Sequence, residues 1–85
     1  MSQVVLYTRE GCHLCDEAKA GILALRDELP GLELREVDID RDERLHASLF
    51  ERIPVVEVEG RPVCELGLDR EALVRALDEA RANGS

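Results

Sequence analysis

Two cysteines separated by two residues, Cys12-His13-Leu14-Cys15, sit where a short apolar run ends and a helical pattern begins. No other feature constrains the fold as tightly. The run Val4-Val5-Leu6-Tyr7 leads in, and Thr8-Arg9-Glu10-Gly11 carries the chain to the first cysteine. In the first turn of a helix, positions i and i+3 share one face, so the two sulfurs fall within reach of a disulfide. That turn also presents unpaired backbone N–H groups at the positive end of the helix dipole. A thiol held there ionises more readily and becomes a nucleophile. The rest of the chain reads as the scaffold that holds this turn.

The 85 residues suffice for one domain, spanning 1–85, with a modest core. Tyr7 and Phe50 are the only aromatic residues, so that core must be aliphatic. No apolar run is long enough to span a bilayer. No basic segment followed by an apolar stretch heads the chain, so the expectation is a cytoplasmic protein without membrane attachment. A net charge of −8 with a single lysine, Lys19, opposes binding to nucleic acid. Three cysteines are too few, and odd in number, for a disulfide-stapled fold. A reactive pair in a reducing compartment fits them better. Cys64 is left over, as a small core residue or, in the sharper reading, a regulatory thiol.

Residues 3–8 read as a strand buried on both faces. From His13 to about Leu29 the pattern is helical, with Ala18, Ile22, Leu25 and Leu29 on one face. Gly21 either weakens this helix or lets another element come close. Pro30-Gly31 ends it. Residues 32–39 read as a second strand in which Leu32 and Leu34 hold one phase and Val37 and Ile39 the other, through a bulge or two buried faces. Asp40, with Glu43 three residues on, looks like a helix cap, and that helix runs to about Glu51 with Leu45 and Leu49 inward. Val55–Val58 and Pro62–Glu65 make a hairpin about Glu59-Gly60. A last helix follows Gly67-Leu68-Asp69, burying Leu73, Ala76, Leu77 and Ala80, and frays over about 82–85. The order is β-α-β-α-β-β-α, and its strand-helix-strand units imply parallel pairing.

A Cys-x-x-Cys beside a βαβ pattern points to thiol-disulfide chemistry. Tyr7-Thr8-Arg9-Glu10-Gly11-Cys12-His13-Leu14-Cys15 resembles the active-site stretch of glutaredoxins. Their pattern is a Tyr, a basic residue three positions before the first cysteine, and Cys-Pro-Tyr-Cys. Arg52-Ile53-Pro54-Val55 resembles the Thr-Val-Pro segment of that family, and Leu66-Gly67-Leu68-Asp69 lies where the family has Gly-Gly-Cys-Asp. The landmarks occur in order over nearly the whole chain, in the manner of a bacterial glutaredoxin-like branch with Gly-Cys-His-Leu-Cys. The resemblance implies an α/β, thioredoxin-like/glutaredoxin-like fold: a four-stranded mixed sheet flanked by three helices. It also implies a thiol-disulfide oxidoreductase that reduces disulfides or glutathione mixed disulfides. Cys12 would be the attacking thiolate, Cys15 the resolving thiol and Pro54 a cis-proline facing the pair. Ile53 would offer backbone N–H and C=O groups to a peptide-like substrate. Arg9 would attract a glutathione carboxylate, and Leu68 and Asp69 would meet its γ-glutamyl end. His13, when protonated, would stabilise the Cys12 thiolate. The partner is then a disulfide-containing protein or a glutathione mixed disulfide. Glutathione is a possible co-substrate, and no cofactor is tightly bound. The sequence departs from the family at His13-Leu14 in place of Pro-Tyr, at Leu66 in place of a glycine, and at Arg70 in place of a second acid.

A second reading keeps the fold and drops turnover: a binding module that carries a metal or docks a partner. Zinc takes about four ligands, and beyond the pair only Cys64, His13 and His46 are at hand, so no metal site is assigned. An iron–sulfur cluster shared between two chains through Cys12 and glutathione is the variant of this reading. The acidic cluster Asp38, Asp40, Asp42 and Glu43 reads as a helix cap and a solvated face. Nothing in the sequence demands more than a monomer.

Overall fold

The computed structural model describes residues 2–83. The elements follow the predicted order: β1 (Ser2–Thr8), α1 (His13–Glu28), β2 (Leu32–Asp38), a 3-10 turn (Ile39–Arg41), α2 (Glu43–Leu49), β3 (Val55–Val58), β4 (Arg61–Glu65) and α3 (Arg70–Asn83). The four strands form one sheet in the order β2-β1-β3-β4. β1 and β2 run parallel in unbroken register from Ser2↔Leu32 to Thr8↔Asp38. Parallel neighbours need a long crossover, and α1 supplies it. β3 lies antiparallel to β1 and to β4, with a register shift at Val56/Glu57.

Alternation along the strands sorts the core into two groups. Val4, Leu6, Val56 and Val58 face α1 and α3, where Ala18, Ile22, Leu25, Leu73 and Leu77 meet them. This group is aliphatic, as the composition requires, and each fully buried Leu, Ile or Val contributes about 1.5–3 kcal/mol. The second group gathers Cys15, Ile39 and Ile53, with Tyr7, Cys12, Leu45 and Leu49 packed against them. The mixed phase has its source just past β2, because Ile39 lies in the 3-10 turn and not in the strand. Leu32 and Leu34 join the first group and Ile39 the second, and the β1–β2 register has no bulge.

Two elements differ from the sequence reading. α2 is capped by Asp42, whose Oδ1 accepts the Arg44 and Leu45 N–H groups at 2.9 and 3.3 Å. Asp38 caps the 3-10 turn through the Asp40 N–H at 2.9 Å. That turn uses up Ile39–Arg41, so α2 starts later than an Asp40 cap would place it, and it ends at Leu49. α3 stays helical through Ala82 and Asn83, where the pattern had suggested fraying; residues 84–85 lie outside the described residues. Among the described residues no helix is long and apolar enough to cross a membrane.

Candidate active site

β1 ends at Thr8, and four residues turn the chain into α1. Gly11 takes a φ of +81°, a conformation that costs glycine nothing and other residues much. The Cys12 N–H donates to the Arg9 carbonyl at 3.4 Å, which closes the turn. Cys12 is the N-cap of α1: its backbone is extended, and its Sγ accepts the Cys15 N–H at 3.1 Å. A sulfur thus stands where caps usually place the oxygen of Ser, Thr, Asp or Asn. The Cα atoms of Cys12 and Cys15 are 5.2 Å apart and the two residues are paired as a disulfide, within the usual span for one. Cys15 is only 1% exposed, whereas Cys12 is partly open to solvent. A reagent from outside therefore meets Cys12 first.

The other sequence-derived residues lie at this turn or in the segments around it, and several have partners within the chain. The Ile53–Pro54 bond is cis, Pro54 is fully buried, and Ile53 shares a cluster with Cys15. The Ile53 N–H, however, donates to the Leu49 carbonyl at 3.0 Å. One of the two backbone groups assigned to a substrate is therefore already engaged by the last turn of α2. Arg9 is exposed, with Nε 3.5 Å from Asp40 Oδ2. The same carboxylate lies 3.6 Å from His46 Nε2, and the His46 ring stacks on Phe50. Asp69 caps α3: its Oδ1 accepts the Ala72 N–H at 3.2 Å and its carbonyl accepts the Leu73 N–H at 3.0 Å. Leu68 turns inward onto α1, where a Cβ built on Gly21 would lie 2.5 Å from its Cδ2. Gly21 is thus the close approach that the sequence left as one of two options, and Leu68 packs against the core. The His13 side chain is 86% exposed and lies 3.6 Å from Glu17, one turn along α1. So placed, the imidazole is open to solvent with Glu17 as its near partner, while the Cys15 N–H is the group that the structure sets against the Cys12 sulfur.

The surroundings of the turn add contacts and exposures that the residue pattern does not record. Arg52 pairs with Glu65, and the Arg52 carbonyl accepts the Leu66 N–H at 3.0 Å, so the cis-proline segment is tied to the β4–α3 connection. Leu66 itself has a φ of +61° and is 59% exposed; its place where the family has glycine was the available signal. Leu14, between the cysteines, and Phe50, at the end of α2, are also exposed. Behind the site, the Tyr7 hydroxyl donates to Glu57 at 3.1 Å. Burial and that carboxylate raise the phenol above its ordinary pKa. Cys64 is buried and its Sγ donates to the Asp69 carbonyl at 3.7 Å; burial pushes this thiol up, which makes it a poor nucleophile. Among the described residues no three His, Cys, Asp or Glu side chains are grouped to hold a metal ion.

Residues 3–78 match the family model described as a glutaredoxin-like domain (DUF836). The solution structure of protein Ne2328 from Nitrosomonas europaea is 33% identical, with a TM-score of 0.76 over 87% of this chain and 88% of that one. Protein XcR50 from X. campestris is 32% identical, with a TM-score of 0.74 over 91% of this chain and 97% of its own. Oxidised mitochondrial thioredoxin 3 from Saccharomyces cerevisiae, at 15% identity and a TM-score of 0.67 over 92% and 77% of the two chains, shares the fold. No curated protein matches the chain. The mixed four-stranded sheet with three helices is thus a thioredoxin-like α/β fold. With a family match across nearly its whole length and a cysteine pair at the head of α1, the chain belongs to the glutaredoxin-like (DUF836) family.

Proposed function

We propose that the protein is a thiol-disulfide oxidoreductase in which Cys12 attacks and Cys15 resolves. The observation that carries this reading is the Cys12 sulfur as N-cap, accepting the Cys15 N–H beside a sheltered second thiol. In the reduced protein that N–H and the helix dipole favour a thiolate on Cys12. The thiolate attacks one sulfur of a substrate disulfide, breaking the S–S bond, and the departing thiolate takes up a proton. Cys15 then loses its proton and attacks Cys12 Sγ in the mixed disulfide, releasing the second substrate thiol. Two electrons pass to the substrate, one proton comes from Cys15 and the other from solvent, and Cys12–Cys15 becomes a disulfide. A thiol reductant must then restore the pair. A reducing compartment such as the cytoplasm suits that cycle. The reading requires no tightly bound cofactor.

The test is equilibration with reduced and oxidised dithiothreitol, followed by alkylation and intact mass. The expected result is a reversible Cys12–Cys15 disulfide that disappears in Cys12→Ser and in Cys15→Ser. Two thiols that alkylate freely and never form that disulfide would overturn the proposal.

A further inference from the structure

We infer that the disulfide reduced at this site belongs to a protein rather than to glutathione, and that Leu66 helps to select it. This rests on the oxidoreductase reading above. Several of the groups that the family resemblance offers to glutathione already have partners within this chain. The Ile53 N–H is bonded to Leu49, the Asp69 carboxylate caps α3, the Leu68 side chain fills the space over Gly21, and Arg9 faces Asp40. Glutathione carries two carboxylates and one ammonium at neutral pH. It would approach a chain of net charge −8 whose Arg9 is already opposed by an acid.

What the site exposes instead is apolar. Leu14 sits between the cysteines and is 48% exposed. Leu66 is hydrogen-bonded to the residue before Ile53-Pro54 and is more exposed still. A leucine with left-handed backbone is disfavoured, and strained positions of this kind concentrate where a ligand is met. Here the strain holds a solvated apolar side chain on the loop beside the cis-proline. The partner that fits is a protein cysteine flanked by apolar side chains, with Leu14 and Leu66 giving contacts that a small polar tripeptide cannot use. The transfer is the one written above, with the protein disulfide accepting both electrons and both protons.

The experiment is a single turnover of the fully reduced chain against insulin, as a protein disulfide, and against glutathione disulfide. Insulin should react at least about tenfold faster. Leu66→Gly should lower the insulin rate about fivefold or more, while the variant melts no lower than the parent because its backbone is relieved. Leu66→Asn, which tolerates the left-handed conformation, repeats the test should the glycine variant misfold. Glutathione disulfide reacting as fast as insulin, or both variants matching the parent on insulin, would overturn the inference. If the pair still exchanges with dithiothreitol in that case, the oxidoreductase reading survives alone. A pair that exchanges with nothing ends both.

Discussion

Tyr7 shows how far one side chain can report on the fold. Its hydroxyl donates to Glu57 across the two central strands, and both burial and the carboxylate hold the proton on. The folded value lies above the ordinary 10.0, so the folded chain keeps its phenolic proton to higher pH than the unfolded chain. The associated stabilisation is complete below about pH 10 and is lost as the pH climbs through the folded value. An absorbance titration should find the only tyrosine ionising late, and urea midpoints should fall at alkaline pH less steeply in Tyr7→Phe than in the parent. Cys64 titrates with the same sign, which is why the comparison with Tyr7→Phe, and not the bare slope, is the measurement. Cys12 and Cys15 were legible from spacing alone because they are neighbours in sequence. The tasks of Ile53, Asp69 and Leu68 were not, because each is set by hydrogen bonds or packing that no residue pattern records.

At the scale of elements, two contacts decide how the helices are held. Asp42, and not Asp40, caps α2. Asp42→Ala should therefore cost about 1 kcal/mol in urea denaturation, whereas Asp40→Ala should stay within about 0.5 kcal/mol because its ion pairs are exposed. The sequence offered four acids in six residues as candidates, and a 3-10 turn of three residues chose among them. Gly21 and Leu68 are the second case, a contact between residues far apart in the chain. Alanine in place of an exposed helical glycine gains up to about 1 kcal/mol. Here the added carbon displaces the Leu68 methyl, so Gly21→Ala should stabilise the chain in a Leu68→Ala background and gain little in the parent. Additive effects in that double-mutant cycle would show that the two do not touch. The helices and strands themselves were readable because their periodicity is local; the partners that fix their ends and spacing belong to the tertiary structure.

For the whole molecule, the sheet order leaves β2 and β4 as edges. Glu33, Arg35 and Glu36 are exposed on one, and Arg61, Pro62 and Glu65 on the other. Charges and proline on an edge discourage pairing with a second copy, and a net charge of −8 adds repulsion between chains. Sedimentation at increasing concentration should show a monomer throughout, and a stable dimer would show that the blunted edges fail. The placement of Cys12 has a further consequence. In the proposed reaction the sulfur that forms the new S–S bond is also the sulfur that caps the start of α1. In that reaction the mouth of the helix meets a thiolate before turnover and a neutral disulfide sulfur after it. A substrate of that proposed reaction would leave a surface electrically unlike the one it approached, and the difference would persist until the thiols are restored.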